Sequence, residues 1–227
     1  MVSIFNKESV MSALRLVIGN KNYSSWSLRS WFFLKNLGVD FEEELVFLYE
    51  DDTEEKLKSY FSDGKVPVLL DGDLQVWDTL AIIETVADKY PEKSGWPKSV
   101  EAKAVARSVS AEMHSGLFAL RNAMPMNCRK YFPSHPITTE VQKDINRVVA
   151  IWEFCKENYG ENGPWLFGEF SGADAMFAPV VLRLSGHDVK LSGFAHNYVE
   201  MVLQNKYMKD WVEAGKLETQ IIEEYEV

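Results

Sequence analysis

The hydrophobic period of this chain changes once, across residues 91–98, where Pro91, Gly95 and Pro97 interrupt it. Before the break, short apolar runs alternate with helix-length patterns. After it, helical spacing continues almost throughout. With 227 residues, such a chain has room for two packed units. The expectation is a mixed α/β unit over residues 14–90, a linker at 91–98 carrying a packed Trp96, and an all-helical unit over 99–227.

In the first unit, Leu14–Ile18 reads as a buried strand, followed by a helix over residues 25–37 that stops at Gly38. A second strand is expected at 41–48 and a short helix at 53–60. Val66 to Leu70 forms a strand entered through Pro67, and Asp71-Gly72 signals a hairpin into Leu74–Trp77. A helix over 80–90 closes the order β-α-β-α-β-β-α. In the second unit, helices are expected at 100–123, 138–159, 171–184, 194–203 and 206–214, the third apolar almost all round and therefore central. The acidic stretch 218–227 reads as a fraying end.

Three junctions carry chemistry. Asn22-Tyr23-Ser24-Ser25-Trp26-Ser27-Leu28-Arg29 places a serine cluster where a strand ends and a helix begins. Unpaired N–H groups and partial positive charge make that position a natural anion holder, and a hydroxyl there can donate to the anion. Ser24 or Ser25 as a simple helix cap is the competing reading. At Val66-Pro67, the proline cannot donate to a sheet ladder. A cis bond would leave the Val66 backbone facing outward, able to pair with a peptide ligand, and a trans edge proline is the alternative. Asp78-Thr79 opens another helix, where Asp78 either caps it or binds an amino group. Ser171-Gly172-Ala173-Asp174 is a capping box ahead of the apolar helix, a structural role.

Lys+Arg number 24 and Asp+Glu 34, a net charge of −10. With no basic run, nucleic acid and anionic membranes are poor partners, and no apolar run is long enough to span a bilayer. Cys128 and Cys155 have no metal-ligand or CxxC spacing, so a reduced, cytoplasmic protein with inert thiols is expected. Residues 1–13 lack the apolar core of a secretory leader and read as a flexible arm.

Taken in order, the serine cluster, Lys65-Val66-Pro67, Asp78-Thr79 ahead of Leu80-Ala81-Ile82-Ile83-Glu84, and Ser171-x-x-Asp174 resemble the cytosolic glutathione S-transferase family over nearly the full length. The zeta (maleylacetoacetate isomerase-like) class is the nearest in pattern. Its Ser-Ser-Cys-x-x-Arg aligns with Ser24-Ser25-Trp26-Ser27-Leu28-Arg29, and its Asp-Ile-His with Glu112-Met113-His114. Trp26 stands where the class has cysteine, and Asp78-Thr79 where the family has Glu or Gln followed by Ser.

The resemblance implies a thioredoxin-like N-terminal domain, an all-helical C-terminal domain, a homodimer, glutathione as co-substrate, a small-molecule electrophile and no metal. It implies that Ser24, with Ser25 as substitute, donates to the glutathione sulfur beside Trp26. Val66 and cis-Pro67 would hold the cysteinyl unit, Asp78 and Thr79 the γ-glutamyl end, and Lys65 the glycine carboxylate. Trp26, Met113, His114, Leu117 and Arg121 would form the second-substrate pocket. The expected activity is conjugation of glutathione to electrophiles. Glutathione-dependent isomerase or peroxidase chemistry, or a non-catalytic binding role, are the alternatives.

Overall fold

The computed structural model describes residues 13–227, so the expected arm lies outside them except for Ala13. Strand β1 (Leu14–Ile18) lies inside a four-stranded sheet of order β2-β1-β3-β4. It runs parallel to β2 (Phe41–Leu45) and antiparallel to β3 (Val68–Asp71), which turns back into β4 (Leu74–Trp77). Asp71 pairs with Leu74, and Gly72 in the turn takes a positive φ of 60°, a conformation glycine adopts without penalty. The period-2 alternation of strands divides the buried residues between the two faces. Leu16, Ile18 and Leu69 face a core shared with helix α1 (Ser25–Asn36), α3 (Thr79–Lys89) and the helical half. Val17, Val68 and Leu70 pack with Val46 and Leu57, the last residue of α2 (Thr53–Leu57).

The remaining helices are α4 (Val100–Ser115), α5 (Phe118–Ala123), α6 (Thr139–Tyr159), α7 (Gly172–Gly186), α8 (Gly193–Gln204) and α9 (Lys206–Leu217). This is a thioredoxin-like mixed sheet joined to a helical domain, as the resemblance implied. Helix α7 is buried along most of its length and packs against both α1 and α4, so it couples the two halves. Its capping box is formed, with Ser171 and Asp174 each satisfying the other's backbone. Trp96 is buried where α7 begins. A Cβ added to Gly172 would lie 2.7 Å from the Trp96 ring and 2.9 Å from Ile83, so only glycine lets these elements approach so closely.

Four local expectations are corrected. The 100–123 helix is two helices, because Gly116 leaves the helical conformation and Leu117 adopts a positive φ of 55°. Strand β2 ends at Leu45, since the Leu48 N–H turns to Asn20 Oδ1 at 2.8 Å. Helix α2 ends at Leu57 rather than near Tyr60. The acidic stretch after α9 is pinned rather than frayed. The Glu218 carboxylate accepts from the Lys21 and Asn22 N–H groups at 2.7 and 3.0 Å, and Glu226 pairs with Lys130 at 2.7 Å. Glu218 and Glu226 each meet specific donors, which a count of charges does not reveal.

Candidate active site

Where β1 ends and α1 begins, a cleft of about 1140 Å³ opens between the sheet half and the helical half. Ser24 and Ser25 both reach it, each 8% exposed. Ser24 is the α1 cap. Its Oγ accepts the Ser27 N–H at 3.3 Å and its hydroxyl donates to Ser27 Oγ at 2.8 Å. Ser27 Oγ in turn accepts from Gly19 N–H at 3.0 Å, which ties the serine cluster to the end of β1. Ser25 Oγ instead accepts from an Arg183 N–H at 3.3 Å.

Arg183 belongs to a group of three guanidiniums beside this helix start. Arg29 donates to the carbonyls of Met176 and Ser25, at 2.9 and 3.3 Å. Arg183 donates to the carbonyls of Arg121 and Met124, and Arg121 to those of His114 and Gly116. Among the described residues none of the three forms a carboxylate ion pair. Burial, then repulsion from Arg183 and Arg121, holds Arg29 well below the usual guanidinium range, while the charge of Asp78 acts in the opposite sense. Burial and the Arg121 charge pull Arg183 down to about 10, so it remains cationic at neutral pH. The Trp26 indole carries Arg29 4.4 Å and Arg121 5.0 Å from its ring, with the His114 ring edge-on at 5.1 Å. A chain of net charge −10 thus concentrates positive charge around one helix N-terminus.

The opposite rim is built by Asp78 and Thr79. Asp78 sits at a φ of 71°, uncommon for a non-glycine residue, and its Oδ1 caps α3 by accepting the Leu80 N–H at 2.9 Å. Its other oxygen meets His114 Nε2 at 2.6 Å. The Thr79 hydroxyl donates to the Trp26 carbonyl at 3.1 Å, joining the starts of α3 and α1. Lys65, Val66 and Pro67 line the same cleft, and the Val66–Pro67 bond is cis. Lys65 is exposed and pairs with Asp63 at 3.1 Å.

Of the residues expected in a second pocket, Trp26, His114 and Arg121 line the cleft. Met113 and Leu117 do not. Met113 lies on the core face of α4, and Leu117 turns inward at the α4–α5 break, so both are buried in the hydrophobic core. Met126 is buried in the hydrophobic core and also lines the cleft. Burial pushes both cysteines up to about 12, which disfavours their thiolates. Among the described residues no cluster of three or more His, Cys, Asp or Glu could hold a metal, and no helix is long and apolar enough to cross a membrane. Sequence reasoning missed Arg183 and the segment containing Ile222, Glu224 and Tyr225, all of which line the cleft. A lone arginine in an otherwise apolar helix was the available signal for Arg183. The tail offered none.

A thioredoxin-like sheet joined to a helical domain is the fold this chain shares with solved glutathione transferases. Residues 23–89 match the family model for the glutathione S-transferase N-terminal domain. Glutathione S-transferase 1 of Dianthus caryophyllus is 33% identical over 175 residues, 75% of this chain and 77% of that protein. A probable maleylacetoacetate isomerase of Caenorhabditis elegans is 34% identical over 98 residues, 43% of this chain. That match spans 45% of the worm protein's own length. A Burkholderia glutathione transferase homolog, solved with bound glutathione, superposes with a TM-score of 0.67 at 20% identity, covering 90% of this chain and 98% of that one. The chain belongs to the glutathione S-transferase family.

Proposed function

We propose that this protein is a glutathione transferase that holds the glutathione thiolate over the N-terminus of α1 and passes it to small electrophiles. The observation that carries the reading is the serine pair in which Ser25 is backed by Arg183, a cation with no carboxylate ion pair among the described residues, at a cleft large enough for a tripeptide and an acceptor. On this reading residues 14–90 bind glutathione and residues 99–227 supply the acceptor side. Ser24, held in the cleft wall by Ser27, swings its hydroxyl hydrogen from Ser27 Oγ to the sulfur. Ser25 positions Arg183. Asp78 takes the α-amino group of the γ-glutamyl unit, exchanging its His114 contact for it, with Thr79 beside it. The Val66 backbone pairs with the cysteinyl unit, and Lys65 reaches the glycine carboxylate.

The thiolate attacks an electrophilic carbon, the C–S bond forms, and a leaving group departs with its electron pair or, in an addition, the acceptor carbon takes a proton. Arg121 and Arg183 favour acceptors on which negative charge develops during attack, such as nitroarenes and enones, because fixed donors lower the energy of a charge that appears only in the transition state. Trp26 at the class cysteine position leaves glutathione as the sole thiol of the reaction, since neither protein cysteine lines the cleft. A cytoplasmic homodimer is part of the same reading, supported by the family.

Calorimetric titration with glutathione, followed by conjugation assays with a nitroaryl chloride, tests it. Binding with turnover is the expected result. No binding at millimolar glutathione would reject the transferase and leave a regulatory role on this fold.

A further inference from the structure

Residues 218–226, beyond the last helix, cross the cleft instead of leaving the surface. Their path is set by a small number of specific anchors. Glu218 clamps the loop that precedes α1 through the N–H groups of Lys21 and Asn22. Arg129, from the α5–α6 connection, donates to the carbonyls of Glu218 and Gln220 at 2.6 and 2.8 Å, and to the Tyr23 hydroxyl at 2.5 Å. The Tyr23 hydroxyl donates to Glu226 at 2.5 Å and accepts the Ile222 N–H at 3.3 Å. Lys130 and Asn127 complete the ring of donors around Glu226, at 2.7 and 3.0 Å. Asn127 also holds the Tyr225 carbonyl at 3.0 Å.

This is a built latch, and its hub is the residue immediately before Ser24. Latching brings Ile222 and Tyr225 into the wall of the cleft. Ile222 is buried there, and the Tyr225 ring lies 5.7 Å from that of Tyr23. Tyr49, which comes from the sheet half of the molecule, lines the same cleft. One short segment therefore bridges both halves across the cleft mouth and narrows it with an aliphatic and an aromatic side chain. A chain segment that only needed to be tied down could be tied at one end. This one is tied at Glu218 and again at Glu226, on either side of Ile222, Glu224 and Tyr225, which line the cleft.

We infer that residues 218–226 form a strap that limits the size of the electrophile, with Ile222 and Tyr225 as specificity-determining residues and Glu226 as the positioning residue that latches them to Tyr23. The inference rests on the transferase reading above. It adds a selectivity element contributed by neither the serine site nor the arginine group. Pocket walls that reject excess bulk discriminate by roughly 10- to 200-fold per small group, which sets the scale of effect to look for.

The test compares kcat/KM of the full chain for 1-chloro-2,4-dinitrobenzene and the bulkier 1-chloro-2,4-dinitronaphthalene, each normalised to its uncatalysed rate with glutathione. In Tyr225→Ala the ratio of bulky to small should rise by about tenfold, with glutathione affinity by calorimetry held within about twofold. Tyr225→Phe keeps the ring and should keep the wild-type ratio. Glu226→Gln should move the ratio in the same direction as Tyr225→Ala, through a loosened latch. A chain ending at Glu218 should show the largest rise, and if that chain fails to fold the point substitutions carry the test. An unchanged ratio in both Tyr225→Ala and Ile222→Ala, with glutathione still bound, would overturn the strap while leaving the transferase reading intact. Loss of glutathione binding in those variants would also overturn it, by assigning the segment to the glutathione site. Absence of glutathione binding in the wild type would remove the transferase reading, and the strap's role with it.

Discussion

Arg183, near the end of α7, donates to the Oγ of Ser25 at the start of α1, a 3.3 Å contact between residues 158 positions apart. The buried helix of the second half thereby delivers a cation to the start of α1, where the candidate site lies. The same guanidinium satisfies the carbonyls of Arg121 and Met124, so one side chain fixes both the α5 region and the start of α1.

Replacing Arg183 by Met should act on both. Two buried carbonyls lose their donor, which costs about 1–3 kcal/mol in urea unfolding. The thiol of bound glutathione should lose electrostatic support and rise by about one pKa unit, equivalent to about 1.4 kcal/mol. A variant that loses stability with no change in thiol ionisation would confine Arg183 to a structural part.

Asp78 separates capping from ligand binding. Asp78→Asn retains a side-chain oxygen for the Leu80 N–H, so stability should change by about 0.5 kcal/mol or less. It removes the negative charge proposed to receive the glutathione amino group, and the calorimetric Kd should rise about tenfold, the scale of one charge-assisted hydrogen bond. An unchanged Kd would return Asp78 to a capping role alone.

Asp174 links pH to stability. Burial raises it to about 6, although the Leu166 and Ser171 N–H groups and the hydroxyls of Tyr198 and Ser171 all face its carboxyl group. In the unfolded chain the value is about 3.9. The folded state therefore binds the proton more tightly. The stability this group contributes is fully present below about pH 4 and is lost as pH rises through about 6. Urea midpoints should show wild type gaining on Asp174→Asn as pH falls through that window. A difference that stays constant with pH would contradict the assignment.

Much of this architecture is legible from pattern alone. Leu14–Ile18 and Leu74–Trp77 have the bounds expected of them, because each is a short apolar or alternating run between clear turn signals. The α4–α5 break was hidden because apolar spacing continues through Gly116 and Leu117, and the positive φ of Leu117 is a tertiary outcome rather than a local preference. In the site, Ser24, Ser25, Lys65, Val66, Pro67, Asp78 and Thr79 lie at element junctions, which local rules can find, and the structure brings them all to one cleft. Arg183 and Tyr225 reach that cleft by long-range packing, which no local window contains. Met113 obeys the helical period of α4 but falls on its core face, where spacing alone did not separate ligand contact from packing.

The most direct test is the ionisation of bound glutathione, followed by the ultraviolet absorbance of its thiolate against pH in wild type, Ser24→Ala and Ser25→Ala. The account predicts a wild-type value about two units below the free thiol value of about 8.5. Most of that shift should vanish in Ser24→Ala and a smaller part in Ser25→Ala. An unshifted thiol in the wild-type complex, or a shift that survives Ser24→Ala intact, would contradict the claim that Ser24 at the start of α1 stabilises the thiolate.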